Sequence, residues 1–414
     1  MIFMPENTPT VAKKVLLVVL DGASDRPVNG TTPLARANKP NLDALAAGGI
    51  NGIMDTIAPG VRPGSDTSHL ALLGYDPYRY YTGRGPFEAA GVGIGVKGGD
   101  IAFRVNFATV ENGVVTDRRA GRIKDTDPLE KAIMEHVRVP DVEVIFKRST
   151  GHRGALVLRG KGLSPEITDT DPKKEGLPIK ECHSTDSSPG AERTAEIVNS
   201  VSRQILEVLD NHPVNVERRK QGLPAGNAVL IRGAGEVPHI PPFNEKYGIK
   251  GAVVAAAGLI IGIGKMCGLE YLPASMEVEK CGSMSAAKVK RAIKALEEYD
   301  FVLLNIKGAD EAGHDGNFDK KMCFFEELDH VMGDLLNLKD TLIVVTADHS
   351  TPVLIKDHSA DPVPVLMHGP GIRVDDVKHY SDLQAYKGGL HRIRGMDLMP
   401  IILDSINMAK KFGA

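Results

Sequence analysis

Three segments of this chain end in the same way, as an apolar run that leads to an acidic residue. The runs are Lys14–Leu20, Phe301–Ile306 and residues 342–347, and the acids that follow them are Asp21, Asp310 and Asp348. Continuous apolar runs of this length predict strands buried on both faces, as in a parallel sheet. Ligands of open α/β sheets bind beyond the carboxyl ends of the strands. Three carboxylates gathered there would repel one another, so with His314 and His349 beside them the pattern indicates a site for divalent metal.

The length of the chain and a change in its pattern of apolar runs predict two domains. A chain of 414 residues exceeds the usual size of a single hydrophobic core. The strand-then-acid pattern covers residues 1–97 and resumes at about residue 245, whereas short strand-like runs and one helical pattern lie between. We therefore expect an α/β core with a largely parallel sheet flanked by helices, built from residues 1–97 and 245–414. Residues 98–244 are predicted to form a smaller inserted α+β domain.

Charge and composition limit the classes of binding partner that we expect. Lys and Arg total 50 against 53 Asp and Glu, which gives no reason to expect nucleic acid or an anionic membrane. The most apolar stretch, residues 251–264, is shorter than the ~20 residues of a membrane helix and is predicted to be a buried helix or a strand-helix unit. No secretion signal is recognised at the start, and the cysteines form no C-x-x-C pair. We expect a reduced cytoplasmic protein with a small-molecule substrate; association into a homo-oligomer is left open.

A Pro-Gly break before Ser65 predicts the start of a helix. The residues after it, His69 and Leu70 among them, continue with helical apolar spacing. A serine at this position lies where backbone N–H groups and the helix dipole stabilise an alkoxide or a phosphate. The structural alternative is a simple N-cap, and Thr67 and Ser68 are weaker candidates for a nucleophile.

A further histidine, His358, follows Asp348 and His349 and stands just before another apolar run. A histidine in that place belongs to the same edge of the sheet. A mixture of histidine and carboxylate ligands suits Mn²⁺, Zn²⁺ or Co²⁺ better than an all-oxygen Mg²⁺ site.

Six segments, which span nearly the whole chain, together resemble the alkaline phosphatase superfamily. Within it they are most similar to the archaeal-type branch of the cofactor-independent phosphoglycerate mutases. The segments are Leu20-Asp21-Gly22, residues 64–69, residues 83–91, residues 309–316, residues 346–350 and residues 358–364. The resemblance implies interconversion of 3-phosphoglycerate and 2-phosphoglycerate through a phosphoserine at Ser65, without 2,3-bisphosphoglycerate. It also implies two divalent ions, with Mn²⁺ as first choice and Co²⁺, Zn²⁺ or Mg²⁺ as alternatives.

The same resemblance implies how the ligands divide between the two ions. One ion is expected to bind Asp310, His314 and His358. The other is expected to bind Asp21, Asp348, His349 and the Ser65 oxygen. A metal at Ser65 would lower the pKa of its hydroxyl, and a pair of metals would hold the attacking and leaving oxygens of a phosphoryl transfer.

The middle domain carries clusters of basic residues suited to a small polyanion, since arginine binds carboxylate and phosphate in a bidentate fashion. Arginine pairs are also common on solvated surfaces, but the segments 148–153 and 168–172 resemble the archaeal-type mutases. The predicted substrate-binding residues are Arg118, Arg122, His152, Arg153, Asp171, Arg232 and Lys307. A structural role is an equal alternative for Lys307. Transfer within one substrate requires that the phosphoserine survive, so we expect this domain to act as a lid that excludes water.

Two other functions compete with the mutase. The first is a metal-dependent phosphohydrolase, or another phosphomutase, on the same core. The second is a non-catalytic binding protein on a degenerate phosphatase fold. The sequence argues against it, because every position expected to bind metal carries a residue that can do so.

Overall fold

The computed structural model describes residues 11–274 and 283–413, so that Cys281 lies outside the described residues. The chain divides into two compact units. The core unit comprises Met1–Tyr80 and Pro241–Ala414, and the inserted unit comprises Tyr81–Ile240. The first junction lies earlier than the sequence pattern indicated, because the helix Gly85–Gly91 packs its Ala89 against the sheet of the inserted unit.

The strands are numbered in chain order. They are β1 (Lys14–Leu20), β2 (Ile50–Asp55), β3 (Ile101–Glu111), β4 (Val114–Asp117), β5 (Glu143–Arg148), β6 (Arg153–Arg159), β7 (Ala228–Glu236), β8 (Gly251–Val254), β9 (Glu270–Tyr271), β10 (Phe301–Ile306), β11 (Thr341–Thr346), β12 (Val363–His368) and β13 (His391–Arg394).

The helices follow the same convention. They are α1 (Pro33–Arg36), α2 (Pro40–Ala47), α3 (Ser65–Leu72), α4 (Pro77–Tyr80), α5 (Gly85–Gly91), α6 (Asp127–His136), α7 (Pro189–Asp210), α8 (Pro213–Lys220), α9 (Phe243–Tyr247), α10 (Gly258–Met266), α11 (Ser283–Ala295), α12 (Ala309–Asp315), α13 (Phe318–Met332) and α14 (Gly395–Ser405). Short 3-10 turns occur at Ala120–Arg122, Gly333–Asn337 and Ala385–Lys387.

The core unit contains a sheet with the strand order β13-β2-β12-β11-β1-β10-β8-β9. β12 runs antiparallel to both of its neighbours, and the other neighbouring pairs of this sheet, within the described residues, are parallel. The largely parallel sheet predicted from the apolar runs is thereby confirmed. Residues 251–264 form a strand-helix unit, β8 followed by α10.

The register of the three central strands brings their carboxyl ends together. β1 lies between β10 and β11, with Leu20 beside Ile306 and Val19 beside Thr346. The side chains of β1 from Val15 onward are completely buried, as expected for a strand covered on both faces. The residues that follow these three strands therefore share one edge of the sheet.

The inserted unit is built on an antiparallel sheet in which β3 pairs with β4, β6 and β7, and β5 pairs with β6. Helices α6 and α7 contribute Leu129, Ile133, Val201 and Ile205 to a hydrophobic core with one face of this sheet. The described part of the chain contains no helix that is both long and apolar enough to cross a lipid bilayer.

Candidate active site

The acids predicted from the strand ends meet at the carboxyl edge of the core sheet. Asp21 directly follows β1, Asp310 lies in the first turn of α12, and Asp348 follows β11 by one residue. The backbone joins them closely, since Asp310 N donates to Asp21 O at 3.0 Å and Gly22 N donates to Asp348 Oδ1 at 3.1 Å. All three carboxylates are buried.

Two groups of side chains at this edge could each hold a metal ion. One consists of Asp310, His349 and His358, and the other of Asp21, Asp348 and His349; within each group the ligand atoms lie within 4.8 Å of one another. Asp21 Oδ1 and Asp348 Oδ2 are buried and accept no hydrogen bond from the described residues. Buried carboxylate oxygens without a donor are costly unless a cation satisfies them, so the residues present fit a bound divalent ion.

The electrostatics of this cluster point the same way. Burial, reinforced by the charge of Asp348, raises the pKa of Asp21 to about 6. Burial likewise raises the pKa of Asp348, and it lowers the pKa of His349 to about 3. In the absence of a bound metal, the carboxylates of Asp21 and Asp348 thus ionise less readily than usual, and His349 stays neutral, which leaves a ring nitrogen available to a metal.

Two of the histidines are oriented by backbone carbonyls. His314 Nδ1 lies 2.9 Å from Lys356 O, and His358 Nδ1 lies 3.0 Å from Pro63 O. A carbonyl can only accept, so each Nδ1 carries a hydrogen, and Nε2 is the ring nitrogen that can lose its proton to bind a metal. Both Nε2 atoms face Asp310 Oδ1, at 3.3 Å from His314 and 3.6 Å from His358.

The grouping of ligands differs in one respect from the expected division. His349 belongs to both compact groups, and its ring stacks on that of His358 with centroids 3.6 Å apart. His314 lies beside Asp310 but is more exposed, with 41% of its side chain accessible. The predicted metal ligands are therefore all gathered at one edge, with His314 at the periphery.

Ser65 is the first residue of α3 and its hydroxyl points into this cluster. Ser65 Oγ lies 3.2 Å from His349 Nε2, and the residue remains partly accessible. The position before the helix is occupied by Gly64, whose N–H donates to Thr67 Oγ1 at 3.2 Å. Ser68 Oγ instead donates to Thr56 Oγ1 at 3.3 Å and is buried. Of the three hydroxyls considered from the sequence, Ser65 is thus the one placed at the ligand cluster.

Lys307 also belongs to the core unit. Its Nζ donates to Asp310 Oδ2 at 2.7 Å and lies 3.8 Å from Asp21 Oδ1. Burial opposes its charge, but Asp21 and Asp310 prevail and raise the pKa of Lys307 to about 12. The side chain is therefore a cation that lies among the carboxylates.

Three of the predicted substrate-binding residues are in direct contact in the inserted unit. Arg118 donates to both oxygens of Asp171, with Nε to Oδ1 at 3.0 Å and Nη2 to Oδ2 at 2.7 Å. Arg232 Nη1 adds a bond to Asp171 Oδ2 at 3.2 Å. Asp171 is buried, and although burial opposes ionisation, the bonds from Arg118 hold its pKa below the usual value. Asp171 thus fixes two arginines rather than serving as an isolated acid.

His152 lies in the field of several arginines of the same unit. Burial lowers the pKa of His152 to about 4, and the arginines whose charge adds to this effect are Arg153, Arg119, Arg104 and Arg122. An imidazole surrounded by this much positive charge stays neutral at physiological pH. The predicted residues Arg122, His152 and Arg153 therefore belong to one strongly positive cluster.

Sequence interpretation missed part of this cluster. Arg104 lies beside Arg232 in neighbouring strands, and Arg84 donates to Glu88 Oε1 at 2.9 Å. Burial, followed by the charge of Arg84, lowers the pKa of Arg104 to about 10. The available signal was an arginine inside the strand-like run of β3, among apolar residues such as Phe103 and Val105, since a charge there needs an explanation.

Comparisons with known proteins point to the same family as the sequence motifs. The family model described as 2,3-bisphosphoglycerate-independent phosphoglycerate mutase matches residues 46–215. A protein of Archaeoglobus fulgidus named 2,3-bisphosphoglycerate-independent phosphoglycerate mutase 1 is 56% identical over 408 residues, covering 97% of this chain and 100% of that protein.

Two solved structures resemble the fold. A Pyrococcus horikoshii protein has a TM-score of 0.84 and 38% identity, covering 98% of this chain and 100% of the other. A structure named cofactor-independent phosphoglycerate mutase from Thermoplasma acidophilum has a TM-score of 0.70 and 38% identity, covering 95% of this chain and 100% of the other.

Proposed function

The chain belongs to the 2,3-bisphosphoglycerate-independent phosphoglycerate mutases, and from that premise we propose that Ser65 carries the phosphoryl group during the reaction. The protein is an isomerase that interconverts 3-phosphoglycerate and 2-phosphoglycerate. The relatives are mutases over the whole length of the chain, so a phosphohydrolase, another phosphomutase or a non-catalytic binding protein is not favoured.

Ser65 is proposed to act in two steps. Its Oγ attacks the phosphorus of 3-phosphoglycerate as the bond from phosphorus to the 3-oxygen breaks, which yields phosphoserine and glycerate. The 2-hydroxyl of glycerate then attacks the phosphoserine, and 2-phosphoglycerate leaves with Ser65 restored. The single observation that supports this role is the placement of Ser65 Oγ 3.2 Å from His349 Nε2, at the edge where the carboxylates gather.

We propose that this edge of the core sheet holds two divalent ions, with Mn²⁺ as the first choice. Asp310, His314 and His358 would hold one ion. Asp21, Asp348, His349 Nε2 and the Ser65 oxygen would hold the other, because the single free lone pair of His349 can bind only one ion. A bound divalent ion supplies charge stabilisation and a lowered pKa for the serine hydroxyl. Lys307 adds a fixed positive charge beside Asp310, which suits a contact to phosphate.

The arginine cluster of the inserted unit is proposed to bind the glycerate part of the substrate. Arg118 and Arg232 are held by Asp171, and Arg232 Nε is buried without a hydrogen-bond partner among the described residues. The cluster also contains Arg122, His152 and Arg153. A carboxylate would both satisfy free guanidinium hydrogens and offset the repulsion within the cluster.

The experiment is a mutase assay that contains no bisphosphoglycerate. The purified protein is stripped of metal, supplied with Mn²⁺ and given 3-phosphoglycerate, and 2-phosphoglycerate is detected through enolase. We expect turnover that requires the ion. Activity that appears only after 2,3-bisphosphoglycerate is added, or release of inorganic phosphate in place of 2-phosphoglycerate, would contradict the proposal. The cytoplasmic location stays a prediction.

A further inference from the structure

We propose that Thr351 is a positioning residue that fixes the ring of His349 and the carboxylate of Asp310, and so connects the two groups of metal ligands. This inference rests on the metal-binding role proposed above. Thr351 follows His349 by two residues and its side chain is completely buried. Nothing in the sequence pattern had assigned it a role.

The hydroxyl of Thr351 contacts one ligand on each side. Its Oγ1 lies 2.9 Å from Asp310 Oδ1 and 3.0 Å from His349 Nδ1. A hydroxyl has one hydrogen, and an ionised carboxylate can only accept, so the Thr351 hydrogen goes to Asp310. His349 Nδ1 must then be the donor to Thr351 Oγ1.

The consequence is a defined tautomer for His349. With the hydrogen on Nδ1, the Nε2 lone pair faces Asp348 Oδ2 at 3.3 Å and Asp21 Oδ1 at 3.6 Å. Backbone carbonyls orient His314 and His358 in the same sense, whereas His349 depends on a side-chain hydroxyl. A point substitution can therefore remove the group that orients His349. The backbone carbonyls that orient His314 and His358 cannot be removed in this way.

The surrounding backbone is shaped to hold Thr351. A Cβ placed on Gly22 would lie 2.8 Å from Thr351 Oγ1, and one placed on Gly313 would lie 2.8 Å from Thr351 Cγ2. Thr351 N donates to Ser24 O at 3.2 Å, and Thr351 O accepts from Lys321 Nζ at 3.0 Å. The same Cβ on Gly22 would lie 2.7 Å from Cα and Cβ of Asp310, and the one on Gly313 would also meet the Thr351 carbonyl oxygen. The glycines beside Asp21 and His314 therefore allow the close approach of both Asp310 and Thr351.

The test compares Mn²⁺ binding to metal-free proteins by titration calorimetry. Thr351→Val keeps the shape and removes the hydroxyl, Thr351→Ser restores the hydroxyl, and Thr346→Val is the matched control. Thr346 is equally buried, and its Oγ1 donates to Pro364 O at 3.0 Å rather than to a proposed metal ligand. We expect Thr351→Val to weaken Mn²⁺ binding by roughly ten- to a hundredfold, as for other groups that orient metal ligands. Thr351→Ser and Thr346→Val should stay close to wild type.

A second measurement reads the tautomer without metal. The ¹⁵N chemical shifts of the imidazole nitrogens should place the His349 hydrogen on Nδ1 in the wild type and on a mixture of both nitrogens in Thr351→Val. His314 and His358 serve as internal controls, because carbonyls orient them. Wild-type affinity and an unchanged His349 tautomer in Thr351→Val would overturn the inference. A wild-type protein that binds no Mn²⁺ would instead overturn the proposed metal function together with it.

Discussion

Ser65 and Thr67 stand two positions apart, yet their hydroxyls have different surroundings. Ser65 Oγ faces His349 Nε2, whereas Thr67 Oγ1 accepts from Gly64 N and donates to Gly64 O. The sequence predicted a helix start here but left open whether Ser65 was a cap. The distinction depends on which hydroxyl turns back to the preceding residue, and that choice is made by backbone geometry rather than by residue type.

Ser65→Ala should therefore abolish mutase turnover without unfolding the protein. We expect a loss of roughly 10³-fold or more, as for other serine nucleophiles, and a change in stability within about 0.5 kcal/mol, since the site is partly accessible. Coupled assays and urea denaturation measure the two effects. The control, Thr67→Ala, should cost about 1 kcal/mol of stability through lost capping and still form phosphoenzyme. Near-normal turnover in Ser65→Ala would remove the serine from the mechanism.

His152 offers a test of the arginine cluster by NMR titration. Burial and the neighbouring arginines lower its pKa to about 4, whereas the unfolded chain titrates near the ordinary histidine value of 6.5. The unfolded state therefore takes up the proton first, and stability is lost as the pH falls from about 6.5 towards 4. We expect the imidazole resonance of the free protein to titrate with a midpoint near pH 4. The midpoint should move to higher pH when 3-phosphoglycerate adds negative charge. His152→Gln identifies the resonance; a midpoint near 6.5 would show that the arginines do not surround it.

At the scale of elements, the carboxyl ends of strands could be predicted and the contacts between loops could not. Apolar runs identified β1, β10 and β11, and parallel pairing then required Asp21 and Asp348 to share an edge. The contribution of Thr351 depends on the packing of two loops around Gly22 and Gly313. Contacts between segments three hundred residues apart leave no periodic signal in the sequence, which is why this residue was missed.

Helix α13 joins two of these loops through a buried ammonium group. Lys321 Nζ is fully buried and donates to Ser24 O, to Thr351 O and to Asp25 Oδ2, the last at 2.9 Å. Burial lowers the pKa of Lys321 and raises that of Asp25, so each charge depends on the other. The pair thereby ties the loops that follow β1 and β11 to one helix.

Lys321→Met should destabilise the protein by about 3–5 kcal/mol, because it leaves the carboxylate of Asp25 buried without its cation. Adding Asp25→Asn should recover part of that loss, since the uncompensated charge is removed. Urea denaturation of the single and double variants gives the coupling free energy. If the two single losses simply add in the double variant, the ion pair does not hold the loops together.

At the scale of the whole molecule, the pattern of apolar runs predicted an inserted domain. It placed the first junction after residue 97, which assigned α5 to the core. The error has a physical cause. Ala89 of α5 packs on Ala102, Ala155 and Val157 of the inserted sheet, but the sequence of a short helix does not indicate which of two cores it covers. The substrate residues were harder still, because Arg104 and Arg232 become neighbours only through antiparallel strand pairing.

The division of ligands between the units can be tested by hydrogen exchange and mass spectrometry. The proposed metal ligands all belong to the core unit, and the arginine cluster belongs to the inserted unit. A ligand present at 100 times its dissociation constant stabilises the bound form by about 2.7 kcal/mol, so amides that exchange only after its release should slow by up to roughly a hundredfold. We expect Mn²⁺ alone to protect residues 20–25 and 347–359, and 3-phosphoglycerate to add protection at residues 118–122 and 150–154. Asp310→Asn should lose the first effect, since it removes a ligand oxygen. Protection of the arginine cluster by Mn²⁺ alone, equal to that of the strand-end loops, would contradict this assignment of separate tasks.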